Sequence, residues 1–371
     1  MTGRTVGKKV IALAGNCLTP LGATTEDNFR AVAAGATGVK RYEGAFGLPE
    51  PFAASLFDGE REPLFFEALL IRSIRDAVSR AGIDPASPRV AFVISSIKGN
   101  VDAIDEDEAV VPISASAVRV AAHFGNPNAP LVVSNACISG LTALIHAYRM
   151  LRSGRFDHVM VAGAEVQSRF IISGFQSLKA VSPDPCKPFD AARCGLNPGE
   201  AAATMVLSAV DEVPEGAWEL VDGATRNDAN HISGPSRTGE GSYKTLRYVL
   251  AHCTPDELAF INVHGTSTLY NDEMESIALE RAGLINVPVN ALKGVYGHTM
   301  GAAGILESLL SMQAVDAGLV LATRGFETLG VTYPVNVSPV NRPTGKRAFI
   351  KLLSGFGGCN AALLFRKGGA R

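Results

Sequence analysis

The sequence predicts an α/β protein built from two similar halves, and three observations carry that reading. Apolar runs of strand length alternate with longer stretches of helical periodicity along the whole chain. With 371 residues, 47% hydrophobic and 19% charged, there is interior for more than one domain-sized core. Two short patterns also match: Cys137-x-x-Gly140 and, 161 residues later, His298-x-x-Gly301, each after a strand and a turn at the mouth of an apolar helix. Matched turns about half a chain apart point to an internal duplication. The halves are expected at 1–210 and 211–371, with Cys137 and His298 facing each other where they meet.

In chain order, Val10 to Ala14 reads as a strand, and Thr24 or Thr25 caps a helix through Ala34, with Glu26 and Asp27 in its first turn. Residues 65–82 repeat apolar side chains at helical spacing (Phe66, Leu69, Leu70, Ile74, Ala77) and stop at Gly82. Val90 to Ile97 is a strand. The acidic run 102–108 lacks the ligand spacing and turn glycine of a calcium loop, so a solvated loop is expected. Ser114 to Phe124 is a helix, Leu131 to Val133 a buried strand, and Leu141 to Leu151 a helix. Val159 to Ala164 and Ala201 to Ala209 are strands around a loop rich in Pro, Gly and Asp at 186–198. The second half opens with strand-like Leu220-Val221 and a polar, turn-rich stretch at 227–241. Phe260 to Val263 is a strand that ends at His264-Gly265-Thr266, and Gly297 to Gly301 opens a long apolar helix. Arg347 to Leu353 and Ala361 to Phe365 flank a glycine turn at 355–358.

Composition removes several function classes. A net charge of −2, no run of basic residues and 7% aromatics give no footprint for nucleic acid. The six cysteines (17, 137, 186, 194, 253, 359) form no C-x-x-C pair, so neither a zinc site nor a disulfide framework is expected, and a reducing cytoplasm is the simpler setting. After Lys8-Lys9 the apolar run reaches only to Asn16, with Pro20 and Gly22 beyond, which suits a first strand better than a signal peptide. Nothing approaches the roughly 18 apolar residues of a membrane span.

Cys137 carries two readings. It is a small apolar residue entering a core helix, or a nucleophile whose thiolate is favoured by the unpaired N–H groups of that helix. His264 and His298 both sit at strand-end turns among small residues, where catalytic groups of α/β sheets collect, although either ring alone could be structural. A thiolate with two imidazoles is a working set for acyl transfer. Lys293, five residues before His298, either keeps that neighbourhood positive or lies on the surface.

Four segments together resemble the elongating, Cys-His-His type of β-ketoacyl-[acyl carrier protein] synthase. They are Asn135-Ala-Cys-Ile-Ser-Gly140; His264-Gly-Thr-Ser-Thr268 with Asn271-Asp272; Lys293-Gly-Val-Tyr-Gly-His-Thr-Met-Gly-Ala-Ala-Gly304 with Glu307; and Gly355-Phe-Gly-Gly358 with Asn360. Lesser matches at Thr19-Pro-Leu-Gly22, Ala162-Gly-Ala-Glu165, 174–182 and 188–200 extend the likeness over nearly the whole chain. The resemblance implies a thiolase-like five-layered αβαβα fold with two duplicated halves, in a homodimer or a heterodimer with a homologous ketosynthase-like subunit. It implies Cys137 as the nucleophile that takes an acyl group from acyl carrier protein. His264 and His298 would bind the malonyl thioester carbonyl and stabilise the enolate formed on decarboxylation, with Lys293 in support and Glu307 in an inner structural network. The N–H groups of Cys137 and Phe356 would form an oxyanion hole, the Phe356 ring a gate, and Thr266 and Thr268 would hold the phosphopantetheine arm of the carrier. No metal and no resident cofactor are implied.

Some positions depart from the family. Cys359 stands where threonine is usual, and Arg193-Cys194-Gly195 where Arg-Asp-Gly is common. The chain is short around 98–130, a region that shapes the acyl pocket and dimer interface in relatives. The acyl chain, the pathway (fatty acid, polyene or polyketide) and the carrier-docking residues therefore stay open. Two rivals remain: a Cys-His-Cys thiolase, suggested by Cys359, and a chain-length subunit, which would normally have lost the cysteine. A Cys-His-Asn initiating synthase is disfavoured by His298 alongside His264.

Overall fold

The computed structural model describes residues 8–59, 61–62 and 64–369. Its first half contributes five strands to one large sheet, in chain order Lys9–Leu18, Val90–Ser95, Leu131–Val133, His158–Glu165 and Ala201–Val210, and a separate pair, Lys40–Tyr42 with Phe52–Ala54. Across the large sheet the five lie third, second, fourth, fifth, first. The second half contributes Trp218–Asn227, Leu258–Asn262, Pro288–Asn290, Ala348–Gly355 and Cys359–Lys367, and these lie in the same order. Pairing sense repeats as well. In each half the second strand is parallel to the third and fourth, and the fifth is antiparallel to the fourth and first. The two first strands meet edge to edge at Ile11↔Glu219 and Ala12↔Trp218, so hydrogen bonding runs through both halves. A short strand, Asn336–Val337, extends the far edge of the second half.

Helices make the remaining layers. Ser139–Arg152 and Ala303–Asp316 pack on each other and on strands of both halves, which makes them the middle of five layers. A helix enclosed on all sides is apolar all round, and of Ala303–Asp316 only Gln313 and Asp316 are not buried. The outer helices bury one face. Phe65–Ala81 and Ile113–His123 cover the first half with Phe66, Leu69, Ile74 and Val120. Glu240–Val249 and Leu269–Arg281 cover the second half with Leu246, Val249, Met274 and Leu279.

Most expected elements stand within a few residues of their expected ends. Thr24 caps the first helix by accepting from the Asp27 N–H, and the second helix stops at Gly82, whose φ is 64°. Residues 102–108 are mainly short turns open to solvent. Four α-helices among the described residues were not expected: Arg169–Ser177, Glu240–Val249, Leu269–Arg281 and the one-turn Lys293–Tyr296. The Trp218–Asn227 strand is also far longer than Leu220-Val221 suggested.

Candidate active site

Cys137, His264 and His298 reach one point from separate strand-end turns. After the strand Leu131–Val133 the chain turns through Ala136, which adopts a left-handed φ of 44°. Ser139 pins this turn: its hydroxyl accepts from the Asn135 N–H at 2.8 Å and donates to the Ala136 carbonyl at 2.6 Å. A strained elbow of this kind is found where function holds a residue in place, and here it presents Cys137.

His264 follows the strand Leu258–Asn262. Both oxygens of the buried Glu275 carboxyl hold its loop, accepting from the His264 and Gly265 N–H groups at 2.7 Å each. Asp272 accepts from the Ser267 and Phe189 N–H groups. His298 is fixed by its own backbone, which donates to Asn197 O at 2.6 Å and accepts from the Gly199 N–H at 3.0 Å. The Met300 N–H donates to Nδ1 of His298 at 3.2 Å. A neutral imidazole that accepts at Nδ1 carries its proton on Nε2, and His298 Nε2 is buried without a hydrogen-bond partner among the described residues.

The Cys137 sulfur and one ring nitrogen from each of His264 and His298 lie within 4.8 Å of one another. The two imidazoles stand edge to face, with centroids 5.0 Å apart and planes at 81°. All three residues lie on the wall of a cavity of about 810 Å³, which Thr266, Thr268 and Phe356 also line. Thr266 Oγ1 and Thr268 Oγ1 are 3.0 Å apart. The Phe356 N–H acts to favour the Cys137 thiolate, and the Phe356 ring lies 5.8 Å from that of Phe175.

Two family models match this chain: "Beta-ketoacyl synthase, N-terminal domain" over residues 63–212 and "Beta-ketoacyl synthase, C-terminal domain" over 218–327. The chain belongs to the β-ketoacyl synthase family. Among its relatives is Nodulation protein E of Rhizobium leguminosarum bv. trifolii, 31% identical over 68% of this chain and 65% of the relative's own length. Another is 3-oxoacyl-[acyl-carrier-protein] synthase 2 of Vibrio cholerae, 27% identical over 97% of this chain and 99% of the relative. Among solved structures, the ketosynthase in complex with its chain length factor from Xenorhabdus doucetiae superposes with a TM-score of 0.85, at 24% identity, over 99% of this chain and 100% of that one. That likeness supports the thiolase-like fold.

The charge state of this β-ketoacyl synthase site corrects one expectation. The helix terminus was expected to favour a Cys137 thiolate. Instead burial, helped by nearby Cys359, pushes the thiol up to about 12, against Lys293 and the Phe356 N–H, which act to lower it. The helix begins only at Ser139, and a terminus contributes about 0.3–1 kcal/mol, less than loss of hydration costs a buried anion. Both histidines are held well below the ordinary value, by burial first and then by the Lys293 ammonium; His298 adds to this on His264, and the Lys351 ammonium on both rings. The resting site is therefore a neutral thiol beside two neutral rings.

Lys293 is not a surface lysine. It is fully buried and donates to Glu307 Oε1 at 2.5 Å, while Lys351, also fully buried, donates to Glu307 Oε2 at 2.6 Å. Burial works to raise Glu307, and the two ammoniums outweigh it, leaving the carboxyl below its ordinary value. Sequence reading passed over Lys351, Glu275 and Glu165. Two of them carried a signal: Lys351 interrupts an apolar strand, and Glu165 ends one. Glu165 is fully buried and accepts from the Gly301 N–H at 2.9 Å and the Ile97 N–H at 3.1 Å, tying the start of the His298 helix to the first half.

Proposed function

We propose that this chain is a condensing acyltransferase, a 3-oxoacyl-[acyl carrier protein] synthase that extends an acyl chain held on Cys137 by decarboxylative Claisen condensation. The convergence of one thiol and two neutral imidazoles on the wall of a single cavity supports this most directly. The proposed halves, 1–210 with the cysteine and 211–371 with both histidines, meet at that point.

Acyl carrier protein brings its acyl group on a phosphopantetheine arm, which Thr266 and Thr268 hold by hydrogen bonds. The Cys137 sulfur attacks the thioester carbonyl, and its proton passes to the departing phosphopantetheine sulfur. The N–H groups of Cys137 and Phe356 take the charge of the tetrahedral oxygen, and the Phe356 ring, resting on Phe175, swings to admit the chain. Malonyl-carrier protein then binds with its thioester oxygen toward His264 and His298. Breaking the carbon–carboxylate bond releases carbon dioxide and leaves an enolate, whose oxygen accepts N–H donation from the two rings. The enolate carbon attacks the acyl-Cys137 carbonyl, the carbon–sulfur bond breaks, and the sulfur takes a proton from solvent in place of the one that left with the first phosphopantetheine thiol. Lys293 supports the histidines from behind, and Glu307 holds Lys293.

No resident metal or cofactor enters this scheme. Among the described residues no helix is long and apolar enough to cross a membrane, and the proposed setting is the cytoplasm. The strand Leu131–Val133 lies at an open sheet edge with Leu131 exposed. It is the proposed seam of a dimer with a second copy or a homologous subunit, since an open edge is a template for pairing.

Incubation with acyl-carrier protein, followed by intact-protein mass spectrometry, tests the function. The expected result is one acyl adduct, absent from Cys137→Ala. Failure to form an adduct with any acyl donor would overturn the reading in favour of a chain-length subunit.

A further inference from the structure

Behind the two imidazoles, Lys351 has surroundings that its place in a strand does not require. Its Nζ donates to Glu307 Oε2 at 2.6 Å, Leu352 O at 3.1 Å, Val263 O at 3.2 Å and Asn262 O at 3.3 Å. Those oxygens come from three segments. Asn262 and Val263 lead directly into His264, Leu352 lies on the strand that runs to Phe356, and Glu307 is on the helix that follows His298. Strand pairing sets Lys351 opposite Asn262 and does not by itself call for a charge at that point. A fully buried ammonium is costly unless its donors are matched, and four acceptors surround this one.

Charge counting gives the second argument. Two ammoniums, Lys293 and Lys351, share the single carboxylate of Glu307. Glu275 also faces Lys351, but burial raises its carboxyl to about 7 and weakens it as a counter-ion. One carboxylate cannot balance both ammoniums, so the trio keeps one excess positive charge, and removing Lys351 would cancel it.

We propose that Lys351 is a positioning residue for both imidazoles: it joins the three segments that carry His264, His298 and Phe356, and its charge keeps the two rings neutral N–H donors. This rests on the condensing reaction proposed above. Burial lowers the Lys351 ammonium to about 8 against the pull of Glu307, which leaves it mostly protonated at neutral pH. Positive charge at that position opposes protonation of either ring and favours an anion on their far side.

The test compares wild type with Lys351→Gln, Lys351→Met and the double variant Glu307→Gln/Lys351→Met. The glutamine keeps hydrogen-bond donors for the carbonyls and removes the charge. The double variant restores the balance of one net positive charge through Lys293. Imidazole midpoints are read by NMR, with His264 and His298 signals assigned from their alanine variants, alongside the pH profile of malonyl-carrier decarboxylation. Each single variant should move both midpoints, and the acid limb of the profile, up by about one pH unit, and the double variant should move them back. A folded Lys351→Gln protein with unmoved midpoints overturns the proposal, as does a double variant whose midpoints stay with the single variant's. If wild type fails to decarboxylate at all, the condensing reading falls, while the midpoints still judge Lys351.

Discussion

Gly140 and Gly304 touch across the middle layer: a β-carbon on Gly304 would lie 2.2 Å from the Leu141 nitrogen, and one on Gly140 would lie 2.7 Å from Gly301 O. The glycine of the His298 pattern, Gly301, is equally hemmed in, but by the first half: a β-carbon there would lie 2.5 Å from Ser96 Cα and 2.8 Å from Glu165 Oε2. The helices that follow Cys137 and His298 cross backbone to backbone, so the thiol and the ring that precede them are brought within reach. Gly304→Ala should therefore destabilise the fold by at least about 1–3 kcal/mol and lower Cys137 acylation in the fraction that folds. Denaturant midpoints measure the first effect. A midpoint equal to wild type would show that this crossing has slack.

The charge state of Cys137 can be read from its alkylation. Burial holds the thiol at about 12, so the iodoacetamide rate at Cys137 should climb about tenfold per pH unit from 7 to 10, following the thiolate fraction. Cys194 is the exposed cysteine and should be modified first at pH 7. Peptide mapping separates the two. A Cys137 rate that levels off near neutrality would restore the thiolate expected from the helix terminus alone.

Acid stability carries the signature of the histidines. Their folded values lie well below 6.5, chiefly through burial, so below about pH 6.5 the unfolded chain binds more protons than the folded one. Stability from this source is present above that pH and is lost on acidification, by about 1.4 kcal/mol per pH unit for each ring. Glu165 and Glu275, raised by burial to about 7, act with the opposite sign over the same range. Comparing variants cancels them: His298→Asn should lose less stability than wild type between pH 6.5 and 5, with a slope lower by about 1.4 kcal/mol per unit. Equal slopes would mean that His298 is protonated in the folded protein.

How much could be read in advance depended on which side of each element was buried. Helix Phe65–Ala81 has one buried face, and its apolar spacing marked it clearly. Helix Leu269–Arg281 was missed because the side chains it turns inward include Asp272 and Glu275, which accept from loop N–H groups, and Asn271, whose amide donates to both carboxylates, so its buried face does not read as apolar. The cysteine and both histidines were marked by turns rich in small residues. Lys351 has no such turn, and only folding places its ammonium beside Glu307. The Cys137 charge state was misjudged for a related reason: a helix start is visible in sequence, and burial of the sulfur is not.

Glu275 gives a test of how far the His264 loop depends on its anchor. Its carboxyl spends one oxygen on the His264 N–H and the other on the Gly265 N–H and the Asn271 amide, at 2.7 to 2.9 Å. Gly265 has a φ of 49°, and a β-carbon there would lie 2.4 Å from that of Ala291, so the loop has little room to relax elsewhere. In Glu275→Gln one acceptor becomes an N–H₂ group that faces another donor. Leaving a buried N–H unpaired costs about 1–3 kcal/mol, and the loop that aims His264 is freed. Cys137 lies on a different turn and should still take acyl groups at near wild-type rate, while decarboxylation of malonyl-carrier protein should fall by about tenfold or more, since 1.4 kcal/mol corresponds to a factor of ten. His264→Ala should show the same split more strongly. Intact-mass kinetics of acylation beside carbon dioxide release from the same preparations measures both. An equal fall in the two rates would place the effect on the whole fold instead of on the His264 ring.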